Sequence, residues 1–343
     1  MGEPSSRSSD DTPSRSAKRA STHALHALLG ERAAVCRRAI TGEHGVSLPP
    51  LIDHHVHLHL IDAGLLARGG IAGVVDMGGD PVALARLDSR GIPRVAYAGA
   101  FLTAPGGYPV GRSWAPPAIA REITSPSTHP GVHGGAATAV DEQASFGASV
   151  IKVSLNSAAG PVFDRTTLDA VVASARERGL PVVGHVEGEG MLQLAIDAGV
   201  DVLAHTPFTE HMGRRLTARA VAAGQRWIST LAIHDGDPES ADRARVNLAG
   251  FVAAGGQVLY GTDLGNGELP VGVNQAEVAA LDAAGVRGAA LIEAMVAPWP
   301  REEELTGVST FVPGPQPADL DDVPAWISAA TVVPSEELIH DEN

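Results

Sequence analysis

Cysteine and lysine are both scarce in this sequence of 343 residues. Cys36 is the only cysteine, which excludes a disulfide framework and a cysteine-based zinc site. Lys18 and Lys152 are the only lysines, and arginine supplies the other basic residues. Lys18 lies in a polar N-terminal stretch, whereas Lys152 stands within the apolar run 150–155. A lysine kept there indicates a need for an amine rather than for a positive charge alone.

Aromatic residues make up 4% of the chain and hydrophobic residues 44%, so Ala, Val, Leu and Ile must build the core. The formal net charge of −15 argues against nucleic acid or an anionic membrane as partner, because phosphates are bound by clustered Arg and Lys. No apolar run reaches membrane-spanning length, and the N-terminus lacks a signal-peptide core. These absences predict a cytoplasmic protein, and they leave a homo-oligomer open.

Short apolar runs alternate with amphipathic stretches from residue 51 onward. Eight runs are predicted as strands: 51–57, 72–77, 94–101, 150–155, 181–186, 200–205, 226–232 and 257–262. Helical patterns occupy 82–89, 165–178, 191–198, 214–223, 241–254, 275–284 and 289–297. Eight strands alternating with helices over about 210 residues predict an α/β protein with a (β/α)8 TIM barrel.

Segments outside this pattern divide the chain further. Residues 1–20 are polar and are expected to form a disordered tail, followed by a helical lead-in over 21–50 with helical spacing at 24–40. The barrel would occupy 51–298, and a C-terminal extension 299–343. The segment 103–137 is too long for an ordinary loop. It follows the third strand, where barrel active sites are built, so we expect a lid or substrate wall there.

The strand at 51–57 carries polar groups in an apolar setting. Two prolines precede it and prevent a helix from beginning there. Alternate side chains of a strand face the same side, so Asp53, His55 and His57 project together. Two imidazoles in this arrangement can hold one metal ion on a rigid support. The alternative is a strand end with ordinary hydrogen-bonded histidines.

Further metal-capable side chains lie in or at the end of later apolar runs. In a barrel, functional residues lie at the carboxyl ends of the strands, which meet at one mouth. The predicted mouth gathers His55, His57, Lys152, His185, His205 and Asp263.

This pattern resembles the amidohydrolase superfamily. The resemblance rests on Asp-x-His-x-His at 53–57, a lysine on the fourth strand, histidines on the fifth and sixth strands, and Gly-Thr-Asp at 261–263. Residues 48–53 and 201–206 are also similar to imidazolonepropionases and bacterial Xaa-Pro dipeptidases. The resemblance covers about residues 48–297, and it is specific for the superfamily rather than for a substrate.

The resemblance implies a centre with two divalent metal ions. The implied ligands are His55, His57 and Asp263 for one ion, and His185 and His205 for the other. Lys152, carboxylated by CO₂ to a carbamate, would bridge both ions, and burial favours this because it lowers the pKa of the amine. The alternative is a Lys152 ammonium paired with Asp263 or Asp53. Zinc is the expected metal, with manganese, iron or cobalt as alternatives.

The superfamily's small β-sandwich subdomain is expected to be truncated or replaced here, because 24–40 has helical spacing and the C-terminal return is only partly similar. Imidazolonepropionases generally lack the strand-four lysine, so Lys152 argues against that activity.

Three further residues are candidate substrate contacts. His234 follows the seventh strand and is predicted to face the mouth, in a catalytic or substrate-binding role. Tyr108 in the long segment is placed to hydrogen-bond a substrate carbonyl, with plain packing as the alternative. Arg112 is a candidate partner for a substrate carboxylate. Glu187 is interpreted as the solvated start of a helix.

These residues predict a metal-dependent hydrolase of a small-molecule substrate. A metal-bridging hydroxide would attack an amide-type carbonyl, and Asp263 would pass the proton to the leaving nitrogen. N-acyl amino acids, dipeptides and cyclic amides are the candidate substrates. Hydrolysis of a lactone or other ester is the close alternative, since hydroxide attack on a carbonyl is common to both. A deaminase would not need Lys152, and a catalytically silent metabolite-binding barrel would not need the full ligand set.

Overall fold

The computed structural model describes residues 15–88 and 90–340 as a mixed α/β protein. Its helices are α1 (Arg15–Leu29), α2 (Pro81–Ala85), α3 (Ala136–Ser145), α4 (Arg165–Glu177), α5 (Met191–Ala198), α6 (Arg214–Ala222), α7 (Pro238–Ala253), α8 (Gln275–Ala283), α9 (Ala289–Val296) and α10 (Val323–Ile327). Its strands are β1 (Ala34–Arg38), β2 (His44–Leu48), β3 (Leu51–Val56), β4 (Ile71–Asp76), β5 (Arg94–Tyr97), β6 (Phe101–Thr103), β7 (Ala120–Glu122), β8 (Ile151–Asn156), β9 (Val182–Glu187), β10 (Val202–Leu203), β11 (Arg226–Ile228), β12 (Gln257–Leu259), β13 (Val308–Pro313), β14 (Thr331–Pro334) and β15 (Leu338–His340).

Strands β3 to β12 form two parallel sheets. The larger has the order β12-β11-β10-β9-β8-β6-β7, and the smaller has the order β3-β4-β5. Backbone hydrogen bonds attach both edges of the smaller sheet to the larger one. His54 N donates to Tyr260 O (3.0 Å) just after β12, and Ser149 N donates to Tyr97 O (2.8 Å) just before β8. The carboxyl ends of the strands therefore lie on the same side of the molecule.

Each predicted run overlaps an observed parallel strand, although several strands are shorter than predicted and one run is divided in two. The predicted strand 94–101 is divided into β5 and β6 at Gly99, whose φ of +77° is a left-handed conformation that interrupts a strand and favours glycine. Next to it, Ala100 N donates to Gln143 Oε1 at 2.8 Å.

Each predicted helical pattern overlaps an observed helix, although the pattern at 82–89 is reduced to α2 (Pro81–Ala85). The pattern at 191–198 is α5, and 165–178 is α4, which begins where Asp164 Oδ1 accepts the backbone N–H of Thr167 at 2.7 Å. The segment 103–137 contains regular structure that the sequence did not predict, namely β7, paired with β6, and the start of α3.

A third, antiparallel sheet is built from both ends of the described chain, in the order β14-β13-β2-β1-β15. The predicted helical spacing at 24–40 is therefore wrong beyond Leu29. Gly30, at φ +89°, ends α1, and Ala34–Arg38 pairs with β2 on one side and with β15 on the other. A local pattern cannot detect this, because the strand that completes the pairing lies at the far end of the chain.

The tail predicted for residues 1–20 overlaps the beginning of α1, which the structure places at Arg15. Residues 1–14 lie outside the described residues. Leu25 and Leu29 are buried in the main core, and α1 packs against α9. Composition does not reveal this anchoring, since it depends on a tertiary contact.

The core is built mainly from Ala, Val, Leu and Ile, as the composition requires. In it, Trp227 stacks on Phe251 with ring centroids 3.8 Å apart. Among residues 15–88 and 90–340, no helix has both the length and the apolar content to cross a membrane.

Candidate metal centre

The end of β3 presents two histidines, as the alternation of side chains on a strand predicts. His55 Nδ1 lies 2.8 Å from the Ala204 carbonyl oxygen, and His57 Nδ1 lies 3.0 Å from the Gly78 carbonyl oxygen. Because a carbonyl only accepts, both Nδ1 atoms carry the hydrogen, and the Nε2 atom of each neutral ring offers a lone pair. A backbone carbonyl that holds one ring nitrogen in this way is typical of metal-binding histidines.

Both of these histidine rings contact Asp263. Its Oδ1 lies 3.1 Å from His55 Nε2 and 3.1 Å from His57 Nε2, while its Oδ2 accepts a hydrogen bond from Asn266 Nδ2 at 2.9 Å. Burial would raise the pKa of Asp263, but the close contacts with His55 and His57 outweigh it and hold the pKa well below its usual value. Asp263 is therefore a carboxylate at neutral pH.

The contact between His55 and Asp263 favours a bound cation. Burial lowers the pKa of His55 to about 4, so this ring is neutral at pH 7. With its hydrogen on Nδ1, the lone pair of Nε2 faces a carboxylate oxygen. Two electron-rich atoms in that position repel each other unless a cation lies between them.

Asp53 hydrogen-bonds Thr262 and the backbone of His55 rather than a metal-binding side chain. Its two oxygens accept hydrogen bonds from Thr262 Oγ1 (2.6 Å), Thr262 N (3.1 Å) and His55 N (3.0 Å). Burial raises the pKa of Asp53 to about 7. Asp53 thus links β3 to the segment that carries Asp263. Its role is to position the metal ligands, and it is not a ligand itself.

A second pair of histidines lies beside the first. His185 Nδ1 and His205 Nε2 are 3.0 Å apart. His205 Nδ1 is 3.0 Å from Thr230 Oγ1, and His185 Nε2 is 3.3 Å from Glu187 Oε2. His185 Nε2 also lies 3.2 Å from Asn156 Nδ2, and when Nε2 donates to Glu187 the ring keeps its lone pair on Nδ1. The two rings therefore converge on one point through Nδ1 of His185 and Nε2 of His205.

The two pairs meet at His55 and His205, whose ring centroids are 4.8 Å apart. His55, His205 and Asp263 each offer a ligand atom, and these atoms all lie within 4.8 Å of one another. Nitrogen and carboxylate donors at such spacing suit a divalent transition metal. These side chains can hold a metal ion.

Lys152 is buried beside this cluster, with 1% of its surface exposed. Its Nζ has no hydrogen-bond partner among the described residues and lies 5.6 Å from the centre of the Phe101 ring. Burial lowers the pKa of Lys152 to about 7, against the opposing charges of Asp263 and Asp76. The described ion pairs do not include the alternative pairing of Lys152 with Asp263 or Asp53. An amine of this kind is available in the neutral form that reacts with CO₂.

Of the three candidate substrate contacts, Tyr108 touches this cluster directly. Tyr108 stacks on His185 with ring centroids 4.9 Å apart, and the Arg112 guanidinium lies 5.8 Å from the centre of the Tyr108 ring at the exposed rim. His234 is buried against Phe208, and its Nε2 has no hydrogen-bond partner among the described residues. Burial lowers the pKa of His234, so the ring is neutral at pH 7.

Several residues of the site are not evident from sequence. Glu187 is not a solvated helix start: it ends β9 and contacts both His185 and Asn156. Thr230 has a left-handed φ of +44°, and no motif marks it. Glu277 of α8 is buried and accepts the backbone N–H of Ala232 at 2.7 Å, which holds the segment that carries Thr230 and His234. A glutamate within a predicted amphipathic helix gives no signal of this role.

The whole chain was compared with known protein families, curated proteins and solved structures. No protein-family model matches the chain, and no curated protein matches its sequence. Among solved structures, a Xaa-Pro dipeptidase with bound methionine is 18% identical, with a TM-score of 0.65 over 86% of this chain and 87% of that one. The ochratoxinase of A. niger is 20% identical, with a TM-score of 0.66 over 84% and 82%. Phenylurea hydrolase B is 16% identical, with a TM-score of 0.65 over 85% of each chain. The chain shares the fold of these solved structures, which include a Xaa-Pro dipeptidase, a class that its motifs resemble.

Proposed function

We propose that this protein is a metal-dependent hydrolase that cleaves an amide-type C–N bond in a small molecule. The observation that carries the proposal is the convergence of His55 and His57 on one oxygen of Asp263, beside a buried lysine amine without a partner. The structural relatives named as a Xaa-Pro dipeptidase, an ochratoxinase and a phenylurea hydrolase support this class of reaction.

The proposal includes the architecture that holds the site. We infer that the two parallel sheets close into one (β/α)8 barrel, supported by the hydrogen bonds at both edges of the smaller sheet. The five-stranded terminal sheet then stands in for the superfamily's β-sandwich, in truncated form. This arrangement would bring the proposed ligands to one mouth of the barrel, where barrel enzymes carry their chemistry.

The donor set fits two divalent ions. The proposed ligands are His55, His57 and Asp263 for one ion, His185 and His205 for the second, and a carbamate on Lys152 for both. Zinc is the proposed metal, with manganese, iron and cobalt suited to the same donors. When bound, the ions would supply a Lewis acid for the substrate carbonyl and a water molecule whose pKa is lowered to about 7.

The chain's own residues supply the proton transfers and the orientation. Asp263 is ionised, so it can accept the proton of the attacking water and pass it to the leaving nitrogen. Asn266 holds the second oxygen of Asp263 and so fixes the direction of the carboxylate. His234 is neutral with a free Nε2, which suits it to hydrogen-bond a substrate carbonyl. Tyr108, stacked on His185, covers the centre and limits access of bulk water.

A panel of substrates tests the function. Metal-loaded protein is assayed with N-acyl amino acids, dipeptides, cyclic amides and lactones, and hydrolysis of at least one amide class is the expected result. Hydrolysis of lactones alone would replace the amide proposal by the ester alternative. A protein that purifies with little stoichiometric metal and hydrolyses none of these compounds would be a silent metabolite-binding barrel.

The carbamate has its own test. Protein equilibrated with ¹³C-bicarbonate should show a carbamate carbon signal by NMR, and Lys152→Ala should lack it. Activity lost in Lys152→Ala should return in part with added short carboxylic acids, which can occupy the space of the carbamate. A labelled wild-type protein without the signal would contradict the assignment. The cytoplasmic location and the absence of nucleic-acid and membrane partners stay predictions from the sequence.

A further inference from the structure

Aromatic residues are scarce in this chain, with six phenylalanines, four tryptophans and three tyrosines. Three of them nevertheless meet at the metal centre. Phe101 and Tyr108 have ring centroids 6.3 Å apart, Phe101 and Trp114 are 6.2 Å apart, and Tyr108 and Trp114 are 6.0 Å apart. Each distance is typical of direct aromatic contact. We call these three side chains the aromatic wall.

The aromatic wall touches both groups of proposed ligands. Phe101 stacks on His57 with ring centroids 5.9 Å apart, and Trp114 lies 6.2 Å from the same ring. Tyr108 stacks on His185 at 4.9 Å. A substrate held at these histidines would therefore lie within contact of the wall.

The wall differs from an aromatic contact that only fills the core. Trp227 and Phe251 stack with both side chains fully buried. In the wall Phe101 is buried, but Tyr108 and Trp114 are partly exposed. Tyr108 and Trp114 also belong to the long segment 103–137 rather than to a strand or helix of the core. Large apolar side chains left partly open beside a polar centre have surface available for a ligand.

The charges around the wall narrow the choice of ligand. The rings themselves carry no charge. The exposed Arg112 guanidinium lies over the Tyr108 ring, 5.8 Å from its centre, and the buried Lys152 Nζ lies 5.6 Å from the centre of the Phe101 ring. The wall therefore favours an apolar group of the substrate. A carboxylate of the substrate would lie at the exposed rim, near Arg112. An aromatic ring gains more than an aliphatic chain there, since paired rings attract each other beyond the effect of their buried area.

We propose that Trp114, together with Phe101 and Tyr108, determines specificity by binding an aromatic group of the substrate next to the scissile C–N bond. The substrate class is then aromatic small-molecule amides, such as N-acyl aromatic amino acids or aromatic acyl amides. This inference rests on the proposed function for the identity of the scissile bond.

Binding can be measured separately from hydrolysis in an Asp263→Asn background. Calorimetry compares two pairs of compounds that differ by one ring: N-acetylphenylalanine with N-acetylalanine, and N-benzoylglycine with N-acetylglycine. In the Asp263→Asn reference, the aromatic member of at least one pair should bind about tenfold more tightly. Adding Trp114→Ala should reduce that preference below about threefold, and Trp114→Phe should retain part of it.

Trp326→Ala is the matched control, because Trp326 is a partly buried tryptophan of α10, outside the metal centre. It should leave the preference intact, and a comparison of unfolding midpoints shows whether Trp114→Ala is more damaging to the fold. The proposed role of the aromatic wall would be overturned if the two members of each pair bound equally well. It would also be overturned if the preference for the aromatic member survived Trp114→Ala. If the wild-type protein hydrolysed amides without any preference for aromatic substrates, only the proposed role of the aromatic wall would be refuted. An aromatic preference in binding without hydrolysis would refute the proposed function alone.

Discussion

The metal centre and the terminal five-stranded sheet bury their side chains for opposite reasons. At the centre, Lys152 and Asp263 are almost fully buried, and the Lys152 amine lacks a hydrogen-bond partner among the described residues. In the terminal sheet, Phe311 and Val333 lie in a small apolar cluster. An unpartnered buried polar group costs roughly 1–3 kcal/mol, whereas apolar burial stabilises the fold. The centre is therefore organised for chemistry at the expense of stability, and the sheet is organised for stability alone.

The largest expected effect is on catalytic activity, and it comes from a substitution in the metal centre. Asp263→Asn keeps the shape of the side chain but removes the base, so we expect kcat/KM for the best substrate to fall by about 10²–10⁴-fold. Circular dichroism should show an unchanged fold. A variant that keeps wild-type kcat/KM would remove Asp263 from the mechanism.

The converse change is made in the terminal sheet. Phe311 is fully buried, and Phe311→Ala should lower the free energy of unfolding by about 3–5 kcal/mol. At a temperature well below the unfolding midpoint, kcat/KM should stay at the wild-type value. Phe146→Ala is the matched control, because Phe146 is 36% exposed and should cost far less stability. Loss of activity in folded Phe311→Ala would show that the two regions are coupled.

A hydrogen bond next to a ligand should have an intermediate effect. Thr230→Val keeps the branched shape at φ +44° but removes the Oγ1 that contacts His205 Nδ1, so metal affinity should fall about 10–100-fold. Competition with a chromogenic chelator measures this affinity. Thr138→Val, which removes a buried Oγ1 without a described partner, is the control and should leave affinity unchanged. Equal affinities in wild type and Thr230→Val would contradict the orienting role.

The smallest effect concerns the pH dependence of stability in the support behind the centre. Burial raises the pKa of Glu277 from 4.5 to about 7, so the folded state binds its proton more tightly than the unfolded state does. Its contribution to stability is complete below pH 4.5 and is lost as the pH rises to about 7. The Glu277→Gln variant cannot titrate at this position. Its free energy of unfolding should therefore decrease less than that of the wild type between pH 4.5 and 7, and the difference between the two decreases should be on the order of 1–2 kcal/mol. Denaturant unfolding at both pH values checks this, and parallel pH profiles would contradict it.

Sequence predicted the elements that depend on local pattern. The parallel strands were recognisable because buried runs alternate with amphipathic helices, and the ligand candidates stood out because His55, His57 and Asp263 end apolar runs. Features that depend on distant pairing were missed. Cys36 pairs with His340 across almost the whole chain, and Gly99 divides a strand whose composition is continuous.

The sequence by itself determined which side chains are available for chemistry, since a lysine within an apolar strand and histidines at strand ends are visible from composition and spacing. Only the tertiary structure decided what those side chains face. It directed Asp53 to Thr262, left the Lys152 amine without a partner, and brought Tyr108 and Trp114 from the long segment onto the histidines. The reason is physical: the direction of a side chain and its hydrogen-bond partners depend on atoms that are distant in the chain, and local pattern does not contain them.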